Sequence, residues 1–253
     1  MKNFNRSEKS KGILAFASNT PDVNYEEIAK KTLWLAKVST GLPIHLELIR
    51  PPERWHNIRT DIDSKKIVKW NNYGRCNAYD VTPFDETIVV DIDLLITTNR
   101  LVSLFDYPGD YLLCHNNTQL SGETVQDIVW ATVFMFRKTP ASKQFFELVG
   151  RIQRNWDYYK VLFGLKIGNF RNDYAFAIAE RILGGHTQPL HTRMPFGITT
   201  VDYPIKSIDI NDSWMVVRNE DNASILPRTD LHVMSKAWLQ SPALDKFIKD
   251  ANG

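Results

Sequence analysis

The chain has 253 residues, 43% of them hydrophobic and 24% charged, a balance that supports one large buried core and excludes a largely disordered protein. It contains no run of about 18 apolar residues, and its polar, basic start (Met1 to Lys11) lacks the apolar centre of a signal peptide, so the expected location is the cytoplasm with no membrane partner. Cys76 and Cys114 are too few for a disulfide framework or a zinc site and are expected to be reduced. Net charge is only +2, yet Arg137 to Arg193 holds ten Lys/Arg against four Asp/Glu; a basic segment on a mildly acidic body suits an anionic partner, the alternative being scattered surface charge.

In chain order, the apolar run Gly12 to Ala17 ends in Ser18-Asn19-Thr20-Pro21-Asp22 and predicts a buried parallel strand with a loop at its carboxyl end. Asn24, with Glu27 three residues on, predicts the cap of a helix stopped by Gly41 and Pro43. Pro43 to Ile49 alternates as a second strand broken at Pro51-Pro52, which completes a βαβ unit. Glu86 to Asp93 is β-branched and apolar, then abruptly acidic, and predicts a central buried strand that delivers two carboxylates at its end. Further strands are expected at Tyr111 to Cys114 and Ala131 to Phe136. Thr139-Pro140 opens a helix with Phe145, Leu148, Val149, Ile152 and Trp156 on one face, and Asn172 is expected to cap another that runs to Leu183 and closes at Gly184-Gly185. Beyond it the chain is loop-rich and strand-like, with no repeat or linker anywhere. These elements predict an α/β fold in one domain.

Asp91 and Asp93 are the sharpest chemical feature. Two carboxylates one residue apart at the end of a buried strand can meet one hard divalent cation, and such a cation could neutralise a diphosphate leaving group. A solvated strand end is the other reading of the pair, but five apolar residues run straight into it. The Asn forms at either position are expected to fold normally and lose metal-dependent binding.

The segment from Arg75 through Tyr79, Pro83-Phe84, Glu86 to Asp93 and Leu94-Leu95-Ile96 resembles the DxD region of GT-A glycosyltransferases, especially the family 8 group that includes glycogenin and bacterial lipopolysaccharide galactosyltransferases. The resemblance implies a GT-A (Rossmann-like) domain with a mixed, mostly parallel central sheet flanked by helices. Residues 12–110 would be its nucleotide-sugar-binding half, and 111–253 its acceptor-binding half with a metal- and diphosphate-binding segment near the end. It implies a UDP-sugar donor, a Mn²⁺ or Mg²⁺ cofactor, and transfer of a hexosyl or pentosyl group with retention. Arg75 and Leu104-Phe105 match the Arg before the strand and the Leu-Phe after it. Ala15-Phe16-Ala17-Ser18-Asn19 resembles the strand end that cradles uridine, which implies donor contacts at Ala15, Phe16, Ala17 and Asn19 beside Arg75, Asp91 and Ile92. His232 to Trp238 resembles the phrase that supplies a third metal ligand, here His232, and a diphosphate-binding Lys, here Lys236. Ser235 and Ala237 depart from the family's Gly and Pro, and the spacing is shorter. Asn172 and Asp173 stand where the family has an Asp-Gln pair facing the sugar and reacting carbon, with acid and amide exchanged; helix capping is the plainer reading. Trp130-Ala131-Thr132 lies where relatives contact the sugar, which assigns Thr132 to the pocket and leaves Trp130 between pocket and core.

Phe170 to Phe176 is also similar to glycosyltransferases encoded by tailed phages, some of which modify hydroxymethylated bases in DNA. With the basic segment, this implies duplex DNA as an acceptor, with Lys160, Lys166 and Arg171 as backbone contacts. A saccharide or protein acceptor is the alternative. Two other enzyme classes use similar acids: a haloacid-dehalogenase-like phosphatase, which wants Thr or Val where Leu95 stands, and a nucleotidyltransferase, which wants a Gly-rich loop that is missing near residue 15. A non-catalytic nucleic-acid-binding protein would instead use Trp156, Tyr158, Tyr159, Phe163, Phe170 and Tyr174 as stacking groups, where core packing is the ordinary role of such residues.

Overall fold

A computed structural model describes residues 9–50, 56–71, 73–115, 117–120, 129–185 and 192–252. The first half opens with β1 (Lys11–Ala17), α1 (Tyr25–Thr40), β2 (Ile44–Leu48), a hairpin of β3 (His56–Thr60) and β4 (Ile67–Asn71), and α2 (Ala78–Val81). It continues with β5 (Glu86–Val90), β6 (Leu94–Leu95), β7 (Tyr111–Leu113), β8 (Asn117–Gln119) and β9 (Val133–Arg137). The second half opens with three helices, α3 (Pro140–Arg154), α4 (Trp156–Leu162) and α5 (Asn172–Leu183). Then come β10 (Ile198–Val201), β11 (Ser207–Ile210), β12 (Trp214–Arg218), β13 (Ala223–Pro227), β14 (Leu231–Val233), α6 (Lys236–Leu239) and α7 (Pro242–Asn252).

The central sheet runs β2-β1-β5-β9-β7, parallel from β2 to β5 and antiparallel from β5 to β7. Alternation along its strands makes two cores. Ile13, Ala15, Ile88, Val90 and Met135 face one side with α1 and α7, while Leu14, Val89, Phe134 and Phe136 face the other with α3 and α5. On the second side Phe134, Phe136, Phe145, Phe146 and Phe176 interlock, mostly edge to face, with centroids 4.8 to 6.3 Å apart. Each such pair adds roughly 0.5–1.5 kcal/mol beyond its buried area. The result is a sheet with helices on both faces in one domain.

The helix ends follow local chemistry. The Asn24 side chain accepts from the Glu27 N–H, and Gly41 closes α1 in the left-handed conformation that glycine adopts without strain. Thr139 caps α3 through the Ser142 N–H, and Pro140 follows at the first turn. Two expectations are corrected. Asn155 ends α3, so Trp156 belongs to α4. Asn172 is not a cap but the first residue of α5, buried behind an extended Arg171 that makes no side-chain cap. The expected break at Pro51-Pro52 lies outside the described residues.

A second sheet, β6-β14-β10-β8, forms at the carboxyl end of β5, and an antiparallel sheet β11-β12-β13 follows it. No helix among the described residues is long and apolar enough to cross a membrane.

Candidate active site

The turn from β5 to β6 joins the two larger sheets, and both acidic residues sit in it. The Asp91 N–H bonds the Thr132 carbonyl of the central sheet at 2.8 Å, and the Val233 N–H bonds the Asp93 carbonyl at 2.9 Å from the second. Between them the Ile92 side chain is buried, and its carbonyl accepts the Thr32 hydroxyl of α1 at 2.6 Å. An apolar side chain pinned below the turn projects its two acidic neighbours upward. β14 then pairs antiparallel with β6, His232 opposite Leu94, which brings a histidine from 139 positions further along the chain to the same place.

Asp91, Asp93 and His232 offer ligand atoms that all lie within 4.8 Å of one another. His232 Nε2 stands 3.3 Å from Asp93 Oδ1, while its Nδ1 faces Thr200 Oγ1 at 3.4 Å, an outer contact of the kind that fixes ring orientation at metal sites. Two hard carboxylates and one imidazole suit Mn²⁺ or Mg²⁺. The donor set therefore fits the implied cation.

Cations hold both acids in place. Arg75 is ion-paired with Asp91, and the Lys236 ammonium donates to Asp93 Oδ2 at 2.6 Å and to the Val233 carbonyl at 3.1 Å. Burial would raise the Asp93 carboxyl, but Lys236 and His232 outweigh it and hold the group well below the usual carboxylate range. Burial depresses Lys236, partly offset by Asp93. Arg75 reaches its partner from a short 3-10 turn, Arg75–Asn77, that starts after Gly74. Gly74 has φ +109°, and a Cβ there would meet Ile49 and Phe16 at 3.1 Å, so this turn needs a glycine.

Above the turn is a cavity of about 530 Å³, within the usual range for small-molecule sites. Of the residues predicted for the donor, Phe16, Ala17, Arg75, Asp91, Ile92, Thr132 and Lys236 border it, as do Asp93 and His232. Asn172 and Asp173 border it too, at the start of α5. Asp173 Oδ1 accepts the Ala131 N–H at 2.9 Å, and burial raises its carboxyl against the pull of that N–H, Arg75 and Arg171. Trp130 also lines the cavity, edge-on to His232 with centroids 6.1 Å apart.

Two predicted donor contacts do not reach it. Ala15 is fully buried within β1, and the Asn19 side chain accepts the Glu26 N–H at the start of α1. Of the three predicted DNA contacts only Arg171 borders the cavity; Lys160 donates to Asp157 at 2.5 Å, and Lys166 is exposed. The basic segment also spends charge internally, since Arg137 pairs with Glu86 and bonds the carbonyls of Phe105, Tyr107 and Gly109. Among the aromatic residues there, Trp156 and Phe170 are buried and Tyr158 is exposed.

The hairpin β3–β4 supplies lining residues that no motif marked: Arg59, Thr60 and Trp70, with Tyr25 of α1 beside them. Burial pushes the Tyr25 hydroxyl up to about 12, so it stays neutral. The available signal was two short strand-like stretches around Asp61-Ile62-Asp63-Ser64, a turn-forming run.

No protein-family model matches the sequence, and no curated protein matches it. Solved structures that match the chain include glycosyltransferases. The galactosyltransferase LgtC, solved with donor and acceptor sugar analogues, shares 14% identity over 95% of this chain and 95% of its own, with a TM-score of 0.48. The apo form of the glycosyltransferase GlyE of Streptococcus pneumoniae TIGR4 shares 14% over 72% of this chain, with a TM-score of 0.40. This chain spans only 45% of GlyE. A glycosyltransferase involved in glycosylation of the major capsid of PBCV-1 shares 12% over 63% of this chain and 80% of its own, with a TM-score of 0.34. At such identities and scores, function has to be derived from the chain's own residues.

Proposed function

We propose that this protein is a metal-dependent glycosyltransferase that moves a hexosyl or pentosyl group from a UDP-sugar to a hydroxyl acceptor. The observation that carries the reading is the convergence of Asp91, Asp93 and His232 in a cavity at the carboxyl end of β5, where ligands of open α/β sheets bind. These three side chains would hold Mn²⁺ or Mg²⁺, which would supply positive charge to a diphosphate leaving group. Arg75 pairs with Asp91 and Lys236 with Asp93, which fixes the two carboxylates, and Lys236 adds a buried ammonium on the diphosphate side. Phe16 and Ala17 border the nucleoside end, and Thr132, Asn172 and Asp173 the sugar end. Residues 12–110 thus carry most of the nucleotide contacts, and 111–253 the sugar, the acceptor and the His232–Lys236 segment.

The reaction is read as retaining. Asp91 and Asp93 are engaged by cations, so neither stands free to deprotonate an acceptor in the inverting manner.

A thermal-shift and hydrolysis screen of nucleotide sugars, with and without Mn²⁺ or Mg²⁺, tests the class. A donor present at a hundredfold its Kd stabilises the fold by about 2.7 kcal/mol, and this stabilisation should disappear in EDTA. Acceptor trials with saccharides, protein and hydroxymethylated duplex DNA then decide the acceptor. If no UDP-sugar is bound or hydrolysed with either metal, the reading is wrong.

A further inference from the structure

The wall of the cavity opposite the Asp91–Asp93 turn is the β3–β4 hairpin. Its register sets Arg59 opposite Val68, on the face that also carries Trp70 two residues on. The Arg59 guanidinium lies over the Trp70 ring, 5.4 Å from its centroid, a contact that fixes the side chain without neutralising it. Arg59 Nε is buried and finds no hydrogen-bond partner among the described residues, and the side chain has no ion pair within 4.0 Å among them. Leaving a buried donor unpaired is costly, so a ligand is the natural partner.

The charge inventory points the same way. Four cationic side chains, Arg59, Arg75, Arg171 and Lys236, border the cavity against three acidic ones, Asp91, Asp93 and Asp173. Arg75 is taken by Asp91, Lys236 by Asp93, and Arg171 acts on Asp173. The acidic neighbour of Arg59 is Asp61 at the hairpin turn, which does not border the cavity, and among the described residues none of the three cavity acids is ion-paired with Arg59, so it is the surplus cation of the cavity. It lines the same cavity as Lys236, Tyr25 and the Asp91–Asp93 turn.

The hairpin is tied to that same region. Asp63, in the hairpin turn, accepts the Ser235 hydroxyl at 2.6 Å and the Ala237 N–H at 2.9 Å, capping α6 at the residue pair that flanks Lys236. Asn169 Nδ2 donates to the Ile58 carbonyl of β3 at 3.2 Å. Packing holds the hairpin little, since Ile58 and Ile67 are 59% and 74% exposed, and an isolated two-stranded hairpin is marginal.

We propose that Arg59 is a diphosphate-binding residue, placed by the β3–β4 hairpin, with Asp63 as the positioning residue that fastens the hairpin to the segment carrying His232 and Lys236. This rests on the nucleotide-sugar reading. A guanidinium fork can take two oxygens of a phosphate at once, which an ammonium cannot. Arg59 also belongs to the anion and not to the nucleoside, so its loss should be felt only when phosphates are present.

Calorimetric titration with UDP and with uridine, both in Mn²⁺, separates these contributions. Arg59→Ala should weaken UDP on the order of tenfold and leave uridine unchanged, and Arg59→Lys should recover part of the loss. Asp63→Ala should weaken UDP by a smaller factor, again without effect on uridine. Asp63→Asn should restore it, because the amide can accept from Ala237 N–H and donate to Ser235 Oγ. Near-UV circular dichroism checks that each variant keeps its tertiary packing. Wild-type UDP affinity in Arg59→Ala, or equal losses for UDP and uridine, would overturn the assignment while the nucleotide-sugar reading stands. A wild-type protein that binds none of UDP, GDP and ADP in Mn²⁺ would instead overturn that reading, and this inference with it.

Discussion

On the floor of the cavity, Arg75 answers Asp91, Lys236 and His232 answer Asp93, and each of these side chains is at least four-fifths buried. On the roof, Arg59 lies over an aromatic face with Asp61 of the hairpin turn as its acidic neighbour, and the hairpin that carries it exposes two isoleucines. The floor is held by reciprocal charge in a low dielectric, where each ion is needed by its partner. The roof is held by a few hydrogen bonds to neighbouring segments. Floor substitutions should therefore cost both stability and binding, and roof substitutions binding alone.

The largest expected effect is at Asp93. Asp93→Asn strips the counter-ion from a lysine whose side chain is only 4% exposed, and breaking a buried pair from one side costs about 3–5 kcal/mol. The structure thus alters the expectation, drawn from the strand-end pattern, that this variant folds normally. Urea unfolding should show the loss, and Asp93→Asn combined with Lys236→Met should recover most of it while metal-dependent UDP-sugar binding stays absent. If Asp93→Asn unfolds at the wild-type urea midpoint, the floor is not held by this pair.

Asp91→Asn should cost less, about 1–2 kcal/mol, because Arg75 keeps the field of Asp173. It should still abolish Mn²⁺-dependent binding, measured by calorimetry. Full binding in this variant would remove Asp91 from the metal site.

Asp173 reverses the sign. Its folded pKa lies above the unfolded value of about 3.9, because burial raises it. Ionising it thus costs the folded state stability as pH climbs from the unfolded value through the folded one. Asp173→Asn cannot ionise, and its amide oxygen can still accept the Ala131 N–H. The variant should match wild type in acid, become the more stable protein as pH rises past about 4, and keep that advantage at neutral pH while sugar transfer falls. A variant less stable than wild type at pH 7 would show that the cations around Asp173 outweigh its burial.

The floor was legible in the sequence because Ile88 to Val90 are apolar up to the residue where charge begins, and only a site or a solvent-exposed end explains such a break. β1, β5, α1 and the start of α3 were legible for similar reasons, each marked by a run, a cap or a proline. The roof was not. In β3 the residues that border the cavity are consecutive, Ile58, Arg59 and Thr60, joined by Trp70 of β4, so no alternation of apolar and polar positions marks the face turned to the site. Asn172 misled for a related reason: its residue type fits a cap, but the chain enters α5 one residue earlier and its side chain faces the cavity. The pairing of His232 with Leu94 depends on a register between strands of three and two residues, too short for periodicity to specify.

The smallest effect tests the roof from outside. Ile67 pairs with Thr60 in the register, one residue out of phase with Arg59 and Val68, and it does not border the cavity. Its side chain is 74% exposed, so Ile67→Ser removes little buried area and should change stability by no more than about 0.5 kcal/mol. In a protein of this size that is a Tm shift of about 1–2 °C. UDP affinity should be unchanged, because neither Trp70 beneath Arg59 nor the Asp63 bonds to Ser235 and Ala237 are touched. A loss above about 1 kcal/mol would mean that this face is covered in solution, and sedimentation of wild type and variant would then show whether a second copy of the chain covers it. With no such loss, Ile67 is not part of a covered face, and the bonds at the hairpin turn and at Ile58 remain as ties of the hairpin to its neighbours.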